Sequence, residues 1–256
     1  MGLVGKKHGA QAVSVSDTGR VRARNEDRVL TSERLFAVAD GMGGHTLGDV
    51  AAQCAIDSVS AIEKDLDSYT NLDDRKSAIK IALIEAADKI CRHIDGSVSG
   101  TQSRILNFGR SAGTTIAGVH LGDRALVFHV GDSRVYLYRD GELTRLTRDH
   151  SLVQEMIDAG EITSEEGHAH PRRHIITRAI GTHGPPEVDF VEVALHTGDV
   201  VMLCSDGLSD ELLDIDIADI LREAVDQYEG VNRLLAEALD AGGHDNISIV
   251  LALIGE

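Results

Sequence analysis

Tryptophan is absent from this chain, and aromatic residues make up only 3% of it. A core must therefore be assembled from valine, leucine, isoleucine and alanine. Only three cysteines occur, Cys54, Cys91 and Cys204, far apart and without a Cys-x-x-Cys pair. Their spacing argues against a disulfide framework and a thiolate zinc site, and it fits a reducing compartment. Positive charge is in short supply: 25 Lys and Arg stand against 42 Asp and Glu, a formal net charge of −17. Such a balance argues against nucleic acid as the main partner. No apolar run approaches the length of a membrane span. The opening Met-Gly-Leu-Val-Gly-Lys-Lys has no apolar signal core, and Lys6 stands where a myristoylation motif requires Ser or Thr. These absences predict a soluble, cytoplasmic chain that does not engage a membrane.

What is present comes in blocks. The 256 residues suffice for one large domain or two small ones. Apolar runs predict strands at 10–16, 27–31 and 35–39. Helical spacing follows at 48–66 and 74–95, where Ile79, Leu83, Ala86, Ala87 and Ile90 share one face. A polar connection (96–112) leads to strands at 114–121, 125–131, 134–139 and 143–146, with a hairpin turn at Arg139-Asp140-Gly141-Glu142. Residues 149–189 lose the β pattern, hold all three prolines (Pro171, Pro185, Pro186) and read as an irregular flap. Strands resume at 189–195 and 200–205, helices at 216–227 and 231–241, and a last strand runs 247–254. Strand groups and helix pairs in blocks predict an α+β fold of antiparallel sheets with helices packed outside.

Four aspartates sit where apolar strands end or begin. Asp40 closes Leu35-Phe36-Ala37-Val38-Ala39, Asp132 follows the run ending His129-Val130-Gly131, Asp206 follows Val200 to Ser205, and Asp245 precedes Ile247 to Leu253. Glu26-Asp27 stands before a further strand. Bare carboxylates gathered at one end of a sheet repel one another and are costly to bury unless something positive lies between them. An oxygen-only donor set suits Mg2+ or Mn2+ rather than Zn2+ or copper. Gly41 lets its own carbonyl approach a cation, and Gly207 and Gly243 permit tight turns beside it. Two cations bridged by Asp40 and Asp206 would hold a water that loses its proton near neutral pH. Arg20, Arg22 and Arg24 alternate on one extended face, and a guanidinium can clamp a phosphate through two parallel hydrogen bonds.

The motifs resemble those of the metal-dependent Ser/Thr protein phosphatases of type 2C (the PPM family), bacterial branch. They run, in order, from Gly19-Arg20-Val21-Arg22-Ala23-Arg24-Asn25-Glu26-Asp27 through Val38-Ala39-Asp40-Gly41-Met42-Gly43-Gly44-His45 and Ser111-Ala112-Gly113-Thr114-Thr115. They continue through His129-Val130-Gly131-Asp132-Ser133-Arg134, Thr147-Arg148-Asp149-His150-Ser151 and Leu203-Cys204-Ser205-Asp206-Gly207-Leu208 to Gly243-His244-Asp245-Asn246. The resemblance implies one phosphatase domain over 1–256, built as a four-layer α-β-β-α sandwich with the flap as an insertion. It implies two or three Mn2+ or Mg2+ ions: Asp40, Asp206 and Asp245 on the first, Asp40, the Gly41 carbonyl and Glu26 on the second, Asp132 with Asp206 on a third. Arg22 corresponds to the phosphate-binding arginine, while Asp27, His45 and Asn246 correspond to residues that orient ligands and waters. The implied activity is hydrolysis of phosphoserine and phosphothreonine by a metal-activated water, with no phosphoenzyme. Phosphorylated proteins, a Ser/Thr kinase and its substrates are the implied partners of a monomer.

Some members carry a histidine directly after the Asp-Gly pair; here the position is Met42, and His45 lies three residues further on. The Gly41–Gly48 stretch is no dinucleotide fingerprint, because Thr46 occupies the third glycine position. His168, His170 and His174, with Arg172 and Arg173, read as a solvated loop. The competing function is a pseudophosphatase that binds phosphoproteins without turnover. Loss of a metal aspartate would favour it, and all are present.

Overall fold

The computed structural model describes residues 9–43, 47–96, 112–182 and 184–255. Its strands are β1 (Ala10–Asp17), β2 (Arg28–Thr31), β3 (Leu35–Ala39), β4 (Gly41–Gly43), β5 (Ala112–Thr114), β6 (Ile116–His120), β7 (Ala125–Val130), β8 (Arg134–Arg139), β9 (Glu142–Arg145), β10 (Asp189–Val193), β11 (Val200–Cys204) and β12 (Ile247–Ile254). Its helices are α1 (Gly48–Ala61), α2 (Glu63–Ser68), α3 (Leu72–Gly96), α4 (Leu152–Asp158), α5 (Ser164–His168), α6 (Asp206–Ser209), α7 (Asp214–Glu223) and α8 (Gln227–Ala241).

Strand side chains alternate between faces, so a strand that is apolar at every position must be covered on both sides. In β3, Leu35, Ala37 and Ala39 join a layer with α1 and α3, whereas Phe36 and Val38 join a second layer between the sheets. In β12, Val250, Ala252 and Ile254 meet that same inner layer, and Ile247, Ile249 and Leu251 face α7 and α8. Three apolar layers therefore separate four layers of structure, in the order helices, sheet, sheet, helices. One five-stranded sheet runs β1-β12-β11-β8-β9 and the other β10-β7-β6-β3-β2. Every pairing in both is antiparallel. The α+β sandwich expected from the block pattern is the observed fold.

Register puts the acidic residues at one end. Arg28 pairs with Ala39, and Ile116 pairs with Val130. The start of β2, the end of β3 and the end of β7 therefore coincide. In the other sheet Cys204 pairs with both Ile249 and Arg134, which brings the end of β11 beside the starts of β12 and β8.

Several boundaries differ from expectation. The helix read over 48–66 breaks at Ile62, so α2 is separate. The strand read over 114–121 breaks at Thr115, and Gly41 to Gly43, which lay outside every predicted element, form a short strand paired with β5. The hairpin at Asp140-Gly141 is present, with φ of 53° and 85° at its two central residues, as a type I′ turn requires. The flap holds two short helices. Ser151 caps α4 by accepting from the Gln154 N–H, and Thr163 with Glu166 forms a capping box on α5. Most of the connection read over 96–112, and His45, lie outside the described residues. Among the described residues no helix is long and apolar enough to cross a membrane.

Candidate active site

A cleft of about 780 Å³ opens where the two sheets present these strand ends, and Arg22, Glu26, Asp40, Gly41, Asp132, Asp206, Asp245 and Asn246 all line it. Asp27 stands behind the wall, 2% exposed, and its carboxylate accepts a 2.7 Å hydrogen bond from the Ser205 hydroxyl.

Each acidic side chain is delivered by a local feature. Asp40 sits at a crease where the paired strands 35–43 and 112–120 leave the large sheet together. Its N–H donates to Thr115 Oγ1 at 3.1 Å, and its carbonyl accepts from the Thr115 N–H and from Thr114 Oγ1, both at 2.9 Å. Thr115 Oγ1 also lies 2.7 Å from Ser133 Oγ, beside Asp132. One hydroxyl pair thus links the backbone of Asp40 to the loop carrying Asp132. Asn246 performs a similar task for the arginine-rich segment. Its Oδ1 accepts the Glu26 N–H at 2.8 Å, and its Nδ2 donates to the carbonyls of Thr18 and Arg24 at 2.9 Å each.

Close backbone approach fixes the glycines. A Cβ on Gly48 would fall 2.6 Å from Glu26 Oε2 and 2.8 Å from the Gly41 carbonyl oxygen. Those two oxygens converge on the first turn of α1, and only glycine leaves them room. A Cβ on Gly207 would fall 2.0 Å from the Asn246 carbonyl oxygen.

Electrostatically the cleft is strained. Burial, reinforced by Asp27, Asp206 and Asp132, raises Asp40 well above the usual carboxylate range. Burial with Asp132, Asp210 and Asp245 does the same to Asp206. Burial pushes Asp27 up to about 7, and burial with Asp149 and Asp210 pushes Asp132 up to about 7. Glu26 is raised by burial and then by Asp49. Asp27 Oδ1 and Asp206 Oδ1 are buried without a hydrogen-bond partner. Carboxylates that crowd one another, with buried oxygens unpaired, fit a divalent cation bound through hard oxygen donors.

Arg22 rests on the cluster itself: its Nη2 donates to Asp245 Oδ2 at 2.5 Å. Arg20 points away, onto Asp240 and the Leu239 carbonyl at the end of α8. Of the alternating arginines, Arg22 is the one that lines the cleft.

The flap is tied down beside Asp132. His150 Nδ1 accepts the Gly131 N–H at 3.1 Å, which places the ring proton on Nε2, facing Asp189 Oδ2 at 3.2 Å. His129 stacks on His150 with centroids 4.5 Å apart. Ligand atoms of His129, His150 and Asp189 lie close together, but the Arg178 guanidinium contacts both His150 and Asp189. That group is a hydrogen-bonded clasp. Beneath it Arg134 grips Asp149 through Nε at 3.1 Å and Nη2 at 2.7 Å.

Thr115, Ser205, Gly48, Asp210 and the Arg134–Asp149 pair carried no role in the reading of the sequence. Thr115 and Ser205 stood within the quoted motifs, but nothing in the sequence said what either side chain would touch. His174, read as part of a solvated loop, is exposed, and it also lines the cleft and reaches Asp210.

Comparison with known proteins supplies the last observation. The family model described as Protein phosphatase 2C matches residues 18–241. The chain is 39% identical over 239 residues to the serine/threonine protein phosphatase PstP of Mycobacterium tuberculosis, covering 93% of this chain but 43% of that protein. It thus spans less than half the length of that relative. It is 34% identical over 242 residues to the serine/threonine phosphatase stp of Listeria monocytogenes, covering 92% of each. The crystal structure of the PstP catalytic domain in complex with two manganese ions superimposes with a TM-score of 0.79 at 35% identity, over 97% of this chain and 100% of that one.

Proposed function

This chain belongs to the protein phosphatase 2C family, and we propose that it is an Mn2+- or Mg2+-dependent protein phosphatase acting on phosphoserine and phosphothreonine. The observation that carries the reading is the convergence of carboxylates from both sheets on one cleft that also holds a guanidinium. Asp40, Asp206 and Asp245 would hold a first ion, and Asp40, the Gly41 carbonyl and Glu26 a second. Asp132 with Asp206 would hold a third. Bound there, such ions neutralise the carboxylates and make a water nucleophilic toward phosphorus at neutral pH.

The chain's own residues do the rest. Arg22, on a segment fixed by Asn246, presents its guanidinium to the phosphate and offsets charge on the equatorial oxygens. Its present partner Asp245 holds it within the cleft until a phosphate competes for the same N–H groups. Asp27 accepts from Ser205 and so fixes the residue preceding Asp206. Met42 lines the cleft and has no proton to give, so the leaving oxygen is not protonated from that position. No covalent phosphoenzyme forms. The whole chain acts as one cytoplasmic phosphatase domain, a monomer whose substrates are the targets of a Ser/Thr kinase and the kinase itself.

The test is hydrolysis of a phosphothreonine peptide by the full chain with Mn2+, with Mg2+ and after chelation. Release of phosphate that requires the added ion is expected. Turnover undiminished by chelator would sink the metal mechanism, and peptide binding without any turnover would make the chain a phosphoprotein-binding module instead.

A further inference from the structure

Asp132 enters the cleft from a turn that is held on both sides. After it, the Ser133 hydroxyl pairs with Thr115 Oγ1. Before it stands Gly131, buried, with φ of 105° in the region that favours glycine. Both backbone polar groups of Gly131 go to one residue of the flap. Its carbonyl accepts the His150 N–H at 2.9 Å, and its N–H donates to His150 Nδ1 at 3.1 Å. The His150 carbonyl accepts the Thr177 N–H at 2.8 Å, next to Ile176 in the cleft wall. His150 is buried and does not itself line the cleft. Its ring is steered from the far side by Asp189 of β10 and Arg178 of the flap, and its face is covered by His129 of β7. His129 Nε2 donates to the Arg148 carbonyl at 2.9 Å, and Arg178 also pairs with Glu187. Burial, and then His129, lower the His150 pKa, so the ring stays neutral and Nδ1 keeps the lone pair that the Gly131 N–H needs.

We infer that His150 is a positioning residue for the phosphatase reaction: by accepting the Gly131 N–H at Nδ1, it fixes where the Asp132 carboxylate stands in the cleft. The inference rests on the reading of the cleft as a metal centre and adds to it a residue that touches neither ion nor substrate. With no acceptor at Nδ1, a buried N–H is left unpaired, and the turn shifts to find another partner. The displacement passes to Asp132, one residue on, while Ser133 and Thr115 still hold Asp40. The Asp132 side of the cleft therefore weakens and the Asp40 side does not. Partners behind a metal ligand typically carry about 10–100-fold in affinity or activity.

Two variants of the full chain separate the ring's two hydrogen bonds. Counted along the side chain, an asparagine Oδ1 stands where Nδ1 stands, and a glutamine Nε2 stands where Nε2 stands. His150→Asn therefore keeps the acceptor for Gly131 and gives up Asp189, and His150→Gln does the reverse. In the metal-free protein, amide exchange at Gly131, read by NMR, should stay slow in the wild type and in His150→Asn and become fast in His150→Gln. The Mn2+ concentration giving half-maximal hydrolysis of a phosphothreonine peptide should rise about 10-fold in His150→Gln and stay near the wild-type value in His150→Asn. A merely structural role would make the two variants alike, because each loses one bond from a buried ring. A Gly131 amide that stays slow in His150→Gln, a Mn2+ requirement that does not rise there, or an equal loss in His150→Asn overturns the inference and leaves a Mn2+-dependent wild type untouched. A wild type whose hydrolysis needs no Mn2+ overturns the reading of the cleft, and the role of His150 with it.

Discussion

Asp206→Asn is expected to make the metal-free protein more stable at pH 8 while removing its Mn2+-dependent phosphatase activity. Two effects of opposite sign meet at this residue. Without a cation, Asp206 is a carboxylate with a buried, unpaired oxygen, pressed by Asp132, Asp210 and Asp245. Relieving one such group returns about 1–3 kcal/mol, which for a chain of this size raises the melting temperature by roughly 3–10 °C. The amide can also donate to Asp40, where a second charge could only repel.

The pH dependence has a definite sign. A carboxyl whose folded pKa is raised stabilises the fold below its unfolded value of about 4, and that contribution is lost as pH rises through the folded value. Asp27 and Asp132 titrate at about 7 in the fold, and Asp40 and Asp206 are also raised. The metal-free wild type should therefore lose stability from about pH 4 through pH 7 and above, and the variant's advantage should widen over the same range. Activity should fall by more than the roughly 10–100-fold that follows loss of an outer partner of a metal ligand. Thermal melts in chelator across pH, paired with peptide hydrolysis in Mn2+, check both halves. A variant that melts lower than the wild type at pH 8 would contradict the account of crowded carboxylates.

The second large effect lies beneath the cleft. Arg134→Met is expected to destabilise the fold by about 3 kcal/mol, the lower end of the range for removing one partner of a buried ion pair. Asp149, whose side chain is 8% exposed, would lose its close partner and, among the described residues, keep Arg145 at 3.6 Å as its one ion-pair partner. Arg134 also donates to Tyr136 Oη at 3.2 Å, whose hydroxyl in turn donates to Asp214 at 2.9 Å, so the loss reaches α7. Arg134→Met combined with Asp149→Leu should recover most of the stability, because an apolar pair of similar volume leaves no buried charge unpaired. Urea unfolding with an unchanged slope measures both. A loss below about 1 kcal/mol in the single variant would mean the pair behaves as an exposed one.

How much of this could be read from the sequence follows from the range of each signal. The carboxylates were legible because each sits where an apolar run stops, and antiparallel register then brings such stops together without further information. The layering was legible because β3 and β12 are apolar at every position, which demands cover on both faces. The crease at Asp40 was not, because a break in a strand at Thr115 has meaning only when Asp40 lies opposite it. The contacts of Thr115 with Ser133, of Ser205 with Asp27 and of His174 with Asp210 join residues 18, 178 and 36 positions apart. Periodicity carries no trace of such pairings. The reach of His174 to Asp210 is hidden for the same reason: His174 is an exposed loop residue, as read, and its partner is defined only once α6 is packed beside it.

The cleft draws its donors from two separate sheets, with Glu26, Asp40 and Asp132 at the edge of one and Asp206 and Asp245 at the edge of the other. The thickness of the layer between the sheets is thus a dimension of the ion-binding site. That thickness is set by Val38, Ala117, Val127, Leu203, Val250 and Ala252, none of which lines the cleft. Sandwiched sheets lie about 10 Å apart, and close-packed interiors transmit the addition or loss of a methyl group. Preference among ions of different radius can therefore be tuned from the middle of the core, by exchanging one small aliphatic residue for another, with every carboxylate left as it is.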